Sequence, residues 1–166
     1  MPRAIRQIER IEFGRDDVSK VTESMKRLAD ARDGWINLVP KIVDREPHST
    51  SLRFFTLFGG GGSGMTMGTW IPGSRDQRGP TAARLGITHV MGRRLLGGEA
   101  PAVQIPTSWS IEQDHPRRGL VAQIPLEEAL AGVLEWTLRT ITALTLPDRI
   151  QGWRADVYLP FASKVR

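Results

Sequence analysis

The segment Asp114-His115-Pro116-Arg117-Arg118 sets a carboxylate, an imidazole and two guanidinium groups side by side. Adjacent arginines can grip a carboxylate or phosphate through paired N–H donors, and histidine is the side chain that exchanges a proton near neutral pH. A second set lies upstream in GITHVMGRR, where His89 precedes Arg93 and Arg94. On a helix, His89 and Arg93 would share a face at i and i+4. These residues define the expected site, with His115, His89 and Asp114 as proton-handling groups and Arg117, Arg118, Arg93 and Arg94 as ligand-binding groups. The competing reading makes the turn a solvated hairpin tip, with Asp114 bonded to local amides and His89 a satisfied core histidine. Sequence alone does not bring the two segments together. His48, in the polar run DREPHST, is assigned to solvent.

Other chemistry is easier to set aside. The glycine-rich run at 59–64 has unhindered amides that could surround an anion, but a phosphate loop or dinucleotide fingerprint must lead into a helix. Here the run leads into MTMGTWI, so it reads as a flexible hairpin tip. There is no Gly-x-Ser-x-Gly elbow for a serine nucleophile. The chain has no cysteine, which removes disulfides, thiolate zinc sites, iron–sulfur clusters and cysteine nucleophiles. Three histidines leave few ways to build a metal centre, and neither a metal nor a cofactor is assigned. Trp35, Trp70, Trp109, Trp136 and Trp153 fall within apolar alternation and are expected in the core rather than as stacking platforms.

The balance of charge bears on partners. The formal net charge is +5, and of the 23 basic residues only Lys20, Lys26, Lys41 and Lys164 are lysines. Arginine favours bidentate contact with anions, although codon bias produces the same excess without any function. Acidic residues are interspersed except near Arg75, Arg78, Arg84, Arg93 and Arg94, which only Asp76 offsets. Apolar residues make up 40% and charged residues 25%, an ordinary globular balance at a length of 166, enough for one core that buries roughly 70% of the unfolded surface. No stretch approaches the roughly 18 apolar residues of a spanning helix, and no signal-peptide core is visible, so the expectation is a cytoplasmic protein without membrane contact.

Periodicity then supplies the elements that would position the site. Residues 3–14 lean towards a strand. A helix capped by Asp16 or Asp17 carries Val18, Val21, Met25, Leu28 and Ala29 to a stop at Gly34. The run at 35–43 has strand composition, with Pro40 pointing to an edge or kink. Strands at 51–58 and 65–71 are expected to form a hairpin around the glycine run. Residues 73–84 read as an exposed connection, and 80–96 as a short or broken helix begun by Pro80, weakened by Gly86 and Gly92 at about 1 kcal/mol each. A second hairpin flanks 114–118, with Trp109 and Ile111 on one face and Leu120, Ala122 and Ile124 aligned on the partner strand. The strongest pattern is a helix over 126–144, in which Leu126, Leu130, Val133, Leu134, Leu138 and Ile141 form a stripe and Glu127 and Glu128 suit its N-terminal end. A final strand occupies 152–160.

Together these features predict one α+β domain over residues 1–166, a mainly antiparallel sheet of about six strands with two principal helices packed on one face. The leading functional expectation is a non-enzymatic binding or assembly module for an anionic ligand or a partner protein, using the Arg-bearing loops. A small hydrolase- or lyase-type enzyme built on His89, His115, Asp114 and the nearby arginines ranks second. Nucleic-acid binding through 75–94 and 117–118 ranks third, and homo-oligomerisation is compatible with the first reading.

Overall fold

Seven short strands, the central ones buried on both faces, form the sheet, and two apolar-striped segments form the helices that cover it. The computed structural model describes residues 8–43, 65–99, 101–145 and 149–159. In chain order the elements are β1 (Ile8–Phe13), α1 (Ser19–Ala31), β2 (Trp35–Ile42), β3 (Met67–Ile71), β4 (Arg75–Asp76), β5 (Gly79–Pro80) and β6 (Ala83–Thr88). They are followed by β7 (Ser110–His115), β8 (Gly119–Ile124), α2 (Leu130–Leu144) and β9 (Ile150–Tyr158). The main sheet runs β1-β9-β2-β3-β6-β8-β7, and every pairing in it is antiparallel. β4 and β5 make a separate two-stranded ribbon. The fold is therefore α+β with a mainly antiparallel sheet, seven strands rather than six.

The last strand enters the sheet one place in from its edge. β9 lies between β1 and β2, so α1 must cross over it to join two strands that run the same way, and α2 crosses from β8 back to β9. Pairing places Phe13 opposite Trp153, Ala155 opposite both Ile11 and Leu38, and Trp70 opposite both Ile36 and Leu85. All of these are buried, and they form the helix-side face with Leu120, Ala122 and Ile124. Burying such large side chains contributes about 1.5–3 kcal/mol each, which is what draws the helices onto the sheet.

α2 packs closely against β3 because Gly68 has no side chain. A Cβ there would lie 2.7 Å from Thr137 Cγ2 and 3.4 Å from Ile141 Cδ1. The helix is buried on most of its circumference, through Val133, Leu134, Thr137, Leu138, Ile141 and Leu144. On its flank Trp136 meets Trp109 edge-on, ring centroids 4.9 Å apart, and donates its indole N–H to the Gln104 carbonyl at 2.9 Å.

Several expectations from the sequence are corrected. Residues 83–88 are a central strand, not a helix, because Leu85 and Ile87 fill the core face while Gly86 sits between Thr69 and Val121 in the register. α1 begins at Ser19 after Val18 with no side-chain cap, since Asp17 instead accepts a bond from Ser19 Oγ at 3.2 Å. Its stop is Arg32, held in the left-handed region at φ 54 while its N–H bonds back to the last turn, with Gly34 following at φ 87. A non-glycine residue there costs about 1 kcal/mol or more.

α2 starts at Leu130, leaving Glu127 and Glu128 before its first turn and Leu126 58% exposed rather than on the stripe. β2 is internal, yet its pairing with β3 ends at Leu38, so among the described residues Pro40 occupies a stretch paired on the β9 side only. β3 pairs with β2 and β6, while the hairpin expected between 51–58 and 65–71, with its glycine run, rests on residues outside the described ones. Ile111 lies opposite the buried Ala122, on the edge strand β7, and is 41% exposed.

The close approach at position 68 yields a direct test. Gly68→Ala should destabilise the protein by about 1–3 kcal/mol in urea titration, as overpacking does. Adding Thr137→Ser, which removes the offending methyl and keeps the hydroxyl, should recover part of that loss. No loss in the single variant would contradict the packing of α2 on β3.

Candidate functional site

The loop after β6 and the turn between β7 and β8 meet at one end of the sheet. Gly119 makes the meeting possible. It adopts φ 90, and a Cβ at this position would collide with the Ile87 carbonyl and lie 3.3 Å from Thr88 Cα. The HPRRG turn is thus pressed against the end of β6, where His89 follows.

Asp114 fastens the two segments together. Its Oδ1 accepts the Leu95 N–H at 2.9 Å and its Oδ2 accepts the Leu96 N–H at 3.0 Å, so both carboxylate oxygens are spent on the backbone of the 89–99 loop. Charge-assisted bonds of this kind are the stronger ones. Leu95, immediately after Arg93 and Arg94, is fully buried, which anchors the loop from the other side.

The two histidines are likewise committed to backbone. His115 Nδ1 accepts the N–H groups of Arg117 and Arg118, each at 3.1 Å, and so shapes the turn that carries both arginines. His89 is buried at 4% exposure, and its Nδ1 accepts the Met91 N–H at 3.3 Å. That bond places the remaining ring proton on Nε2, which is buried and has no hydrogen-bond partner among the described residues. Burial holds the His89 pKa below its ordinary 6.5; the Asp114 carboxylate pulls it upward, and Arg93 pushes it further down. His89 therefore stays neutral at neutral pH.

All seven expected site residues lie at this end of the sheet, and His89 falls within the electrostatic reach of Asp114. Arg93, Arg94, Arg117 and Arg118 are exposed on the two joined loops. The expected helical pairing of His89 with Arg93 does not occur, because these residues follow a strand rather than sitting in a helix. His48 lies outside the described residues. Among the described residues no group of three or more acidic or histidine side chains could hold a metal ion.

Two features escaped the sequence reading. On the sheet face away from the helices, Thr69 Oγ1 donates to Asn37 Oδ1 at 2.8 Å, and Asp156 takes Arg154 at 3.0 Å and Arg10 at 3.3 Å. Asn37, Thr69, Arg154 and Asp156 are all buried. Their two-residue spacing in WRADV was visible, but the register that joins three strands was not. The second feature is a cavity of about 240 Å³ at the opposite end of β3, β6 and β8, bordered by Trp70 and Arg32. Comparison with protein families, with curated proteins and with solved structures finds no match for this chain.

Two measurements check this geometry. Asp114→Asn keeps one acceptor oxygen and turns an NH₂ group towards the other amide, so stability should fall by about 1–3 kcal/mol, the cost of an unsatisfied buried donor. Hydrogen exchange at Leu95 or Leu96 should accelerate in the same variant; unchanged exchange at both would remove the clamp. For His89, the unfolded chain binds a proton near the ordinary value of 6.5 while the folded chain resists it. The stability this residue contributes is intact above that pH and is lost as pH falls through the depressed folded value. The denaturation midpoint should drop between about pH 7 and pH 5, and His89→Asn, which retains an acceptor for Met91, should flatten that drop. An identical pH profile in the variant would contradict the assignment.

Proposed function

We propose that this protein is a non-enzymatic binding module whose contact surface is the arginine-bearing end of the sheet, and that it takes an anionic ligand. The observation that carries the reading is the Asp114 clamp. By accepting Leu95 N–H and Leu96 N–H from β7, it draws the loop bearing Arg93 and Arg94 to the hairpin turn bearing Arg117 and Arg118. Guanidinium groups on two braced loops can engage carboxylate or phosphate oxygens with less ordering entropy than the same groups on free segments.

Binding is favoured over proton transfer by the way the other groups are used. A general base needs a free acceptor within reach of substrate. Here each histidine uses its Nδ1 lone pair on backbone amides, and Asp114 uses both oxygens. Exposed ion pairs are individually weak, so affinity must come from several arginines acting on one anion. Among the described residues no helix is long and apolar enough to cross a membrane. We place the protein in the cytoplasm, a setting that the cysteine-free composition fits.

The test is a thermal-shift and anisotropy screen of phosphates, carboxylates, nucleotides, an acidic peptide and duplex DNA. Any stabilising ligand should lose about tenfold or more in affinity, roughly 1.4 kcal/mol, in Arg117→Ala/Arg118→Ala and again in Arg93→Ala/Arg94→Ala. Preference for DNA with a steep salt dependence would instead favour a nucleic-acid interface. Equal stabilisation of parent and both double variants would overturn the assignment.

A further inference from the structure

We infer that the cavity between the C-terminal end of α1 and the start of α2 is a binding site for a small amphipathic carboxylate, with Arg32 receiving the carboxylate. Its inner walls are apolar, formed by Trp70, Ala83, Ile124, Leu130 and Val133. Its volume of about 240 Å³ exceeds the roughly 150 Å³ that holds a benzene ring in an apolar cavity, so one ring or a short acyl chain with a polar head fits. The site lies at the far end of β6 and β8 from the arginine-bearing loops, and it stands or falls independently of the reading above.

The rim sets the sign of the ligand's charge. Of the charged side chains that border the cavity, Asp30 is engaged by Lys26 at 2.7 Å and Glu128 accepts Ser108 Oγ at 3.1 Å. Arg32 is exposed and makes no ion pair among the described residues. Glu128 keeps its charge, so selection for an anion rests on Arg32, the one bordering charged side chain with neither an ion pair nor a side-chain hydrogen bond among the described residues. Backbone geometry adds a second argument, because Arg32 holds the left-handed conformation that a helix stop normally gives to glycine. An arginine kept in a position where glycine is more stable fits a role for its side chain.

The mouth is also preformed on its apolar side. Leu126 is 58% exposed beside the cavity, an exposed large apolar residue next to an apolar hollow. Gly73 leaves room for it, since a Cβ at that position would lie 2.5 Å from Leu126 Cδ2 and against the Thr81 carbonyl. A ligand with its ring against Trp70 and its carboxylate at Arg32 would cover Leu126 as it binds, which adds apolar burial to the ionic contact.

The experiment uses the full chain and isothermal titration with benzoate, phenylacetate and hexanoate, alongside benzamide and benzylamine as neutral and cationic controls. The expected result is saturable binding of at least one carboxylate, weaker binding of benzamide and none of benzylamine. Arg32→Gln should lower carboxylate affinity about tenfold while leaving benzamide unchanged. Arg32→Gly should raise the melting temperature, by relieving the left-handed strain, and lose the preference for carboxylates. Arg117→Ala/Arg118→Ala should bind the carboxylates as the parent does, which separates this site from the arginine-bearing loops. No carboxylate binding up to about 10 mM, tighter binding of benzylamine, or full carboxylate affinity in Arg32→Gln would each overturn the proposal.

Discussion

The contact of α2 with β3 at Gly68 is the constraint on which the rest of the structure depends. α2 must carry the chain from β8 over the sheet so that β9 can enter between β1 and β2. A missing side chain at position 68 lets Thr137 and Ile141 settle against the sheet, and the remaining sides of α2 are then buried by α1 and by the Trp109–Trp136 contact. Once α2 is seated, β9 supplies ladder bonds to two neighbours at once and closes the core through Trp153, Ala155 and Val157. The cavity near Arg32 lies where the C-terminal end of α1 and the start of α2 meet the sheet, beside Ala29 and Ala83.

The candidate binding surface depends on a different kind of interaction, in which polar side chains organise backbone. Asp114, His115 and His89 each satisfy main-chain amides, and none of these bonds requires a ligand. The effect is to brace the arginine-bearing loops from beneath while their charged ends remain in water. Groups that resemble a catalytic set in sequence thus serve as the frame for a cationic surface. The buried Nε2–H of His89 makes the balance pH-sensitive, because a second proton on this ring would be both desolvated and placed near Arg93.

How much of this was legible follows from the range over which each feature is encoded. The α2 stripe and the β7–β8 hairpin are local, and the glycine closing the HPRRG turn, free to adopt positive φ, does so at Gly119. β6 was misread because Pro80 and the good helix formers after it suggested a helix; the deciding fact is burial on both faces of a central strand, which is tertiary. The Asp114 clamp was invisible for another reason: its partners are backbone amides 18 and 19 residues away, and an amide has no sequence signature. The polar row of Asn37, Thr69 and Asp156 joins strands separated by up to about 120 positions in the chain, where alternation fixes the face but not the neighbour. Arg32 was hidden because the rule that helices stop at glycine pointed two residues further on, to Gly34.

The proposed function requires that the braced loops present their arginines to one anion. The most direct measurement is an amide-resolved NMR titration with tripolyphosphate at two salt concentrations. The account predicts saturable shifts that are largest at Arg93, Arg94, Leu95 and Leu96 and at Arg117, Arg118 and Gly119, with both groups moving on the same binding curve. Shifts confined to one loop, shifts centred elsewhere on the sheet, or no saturable change would contradict it.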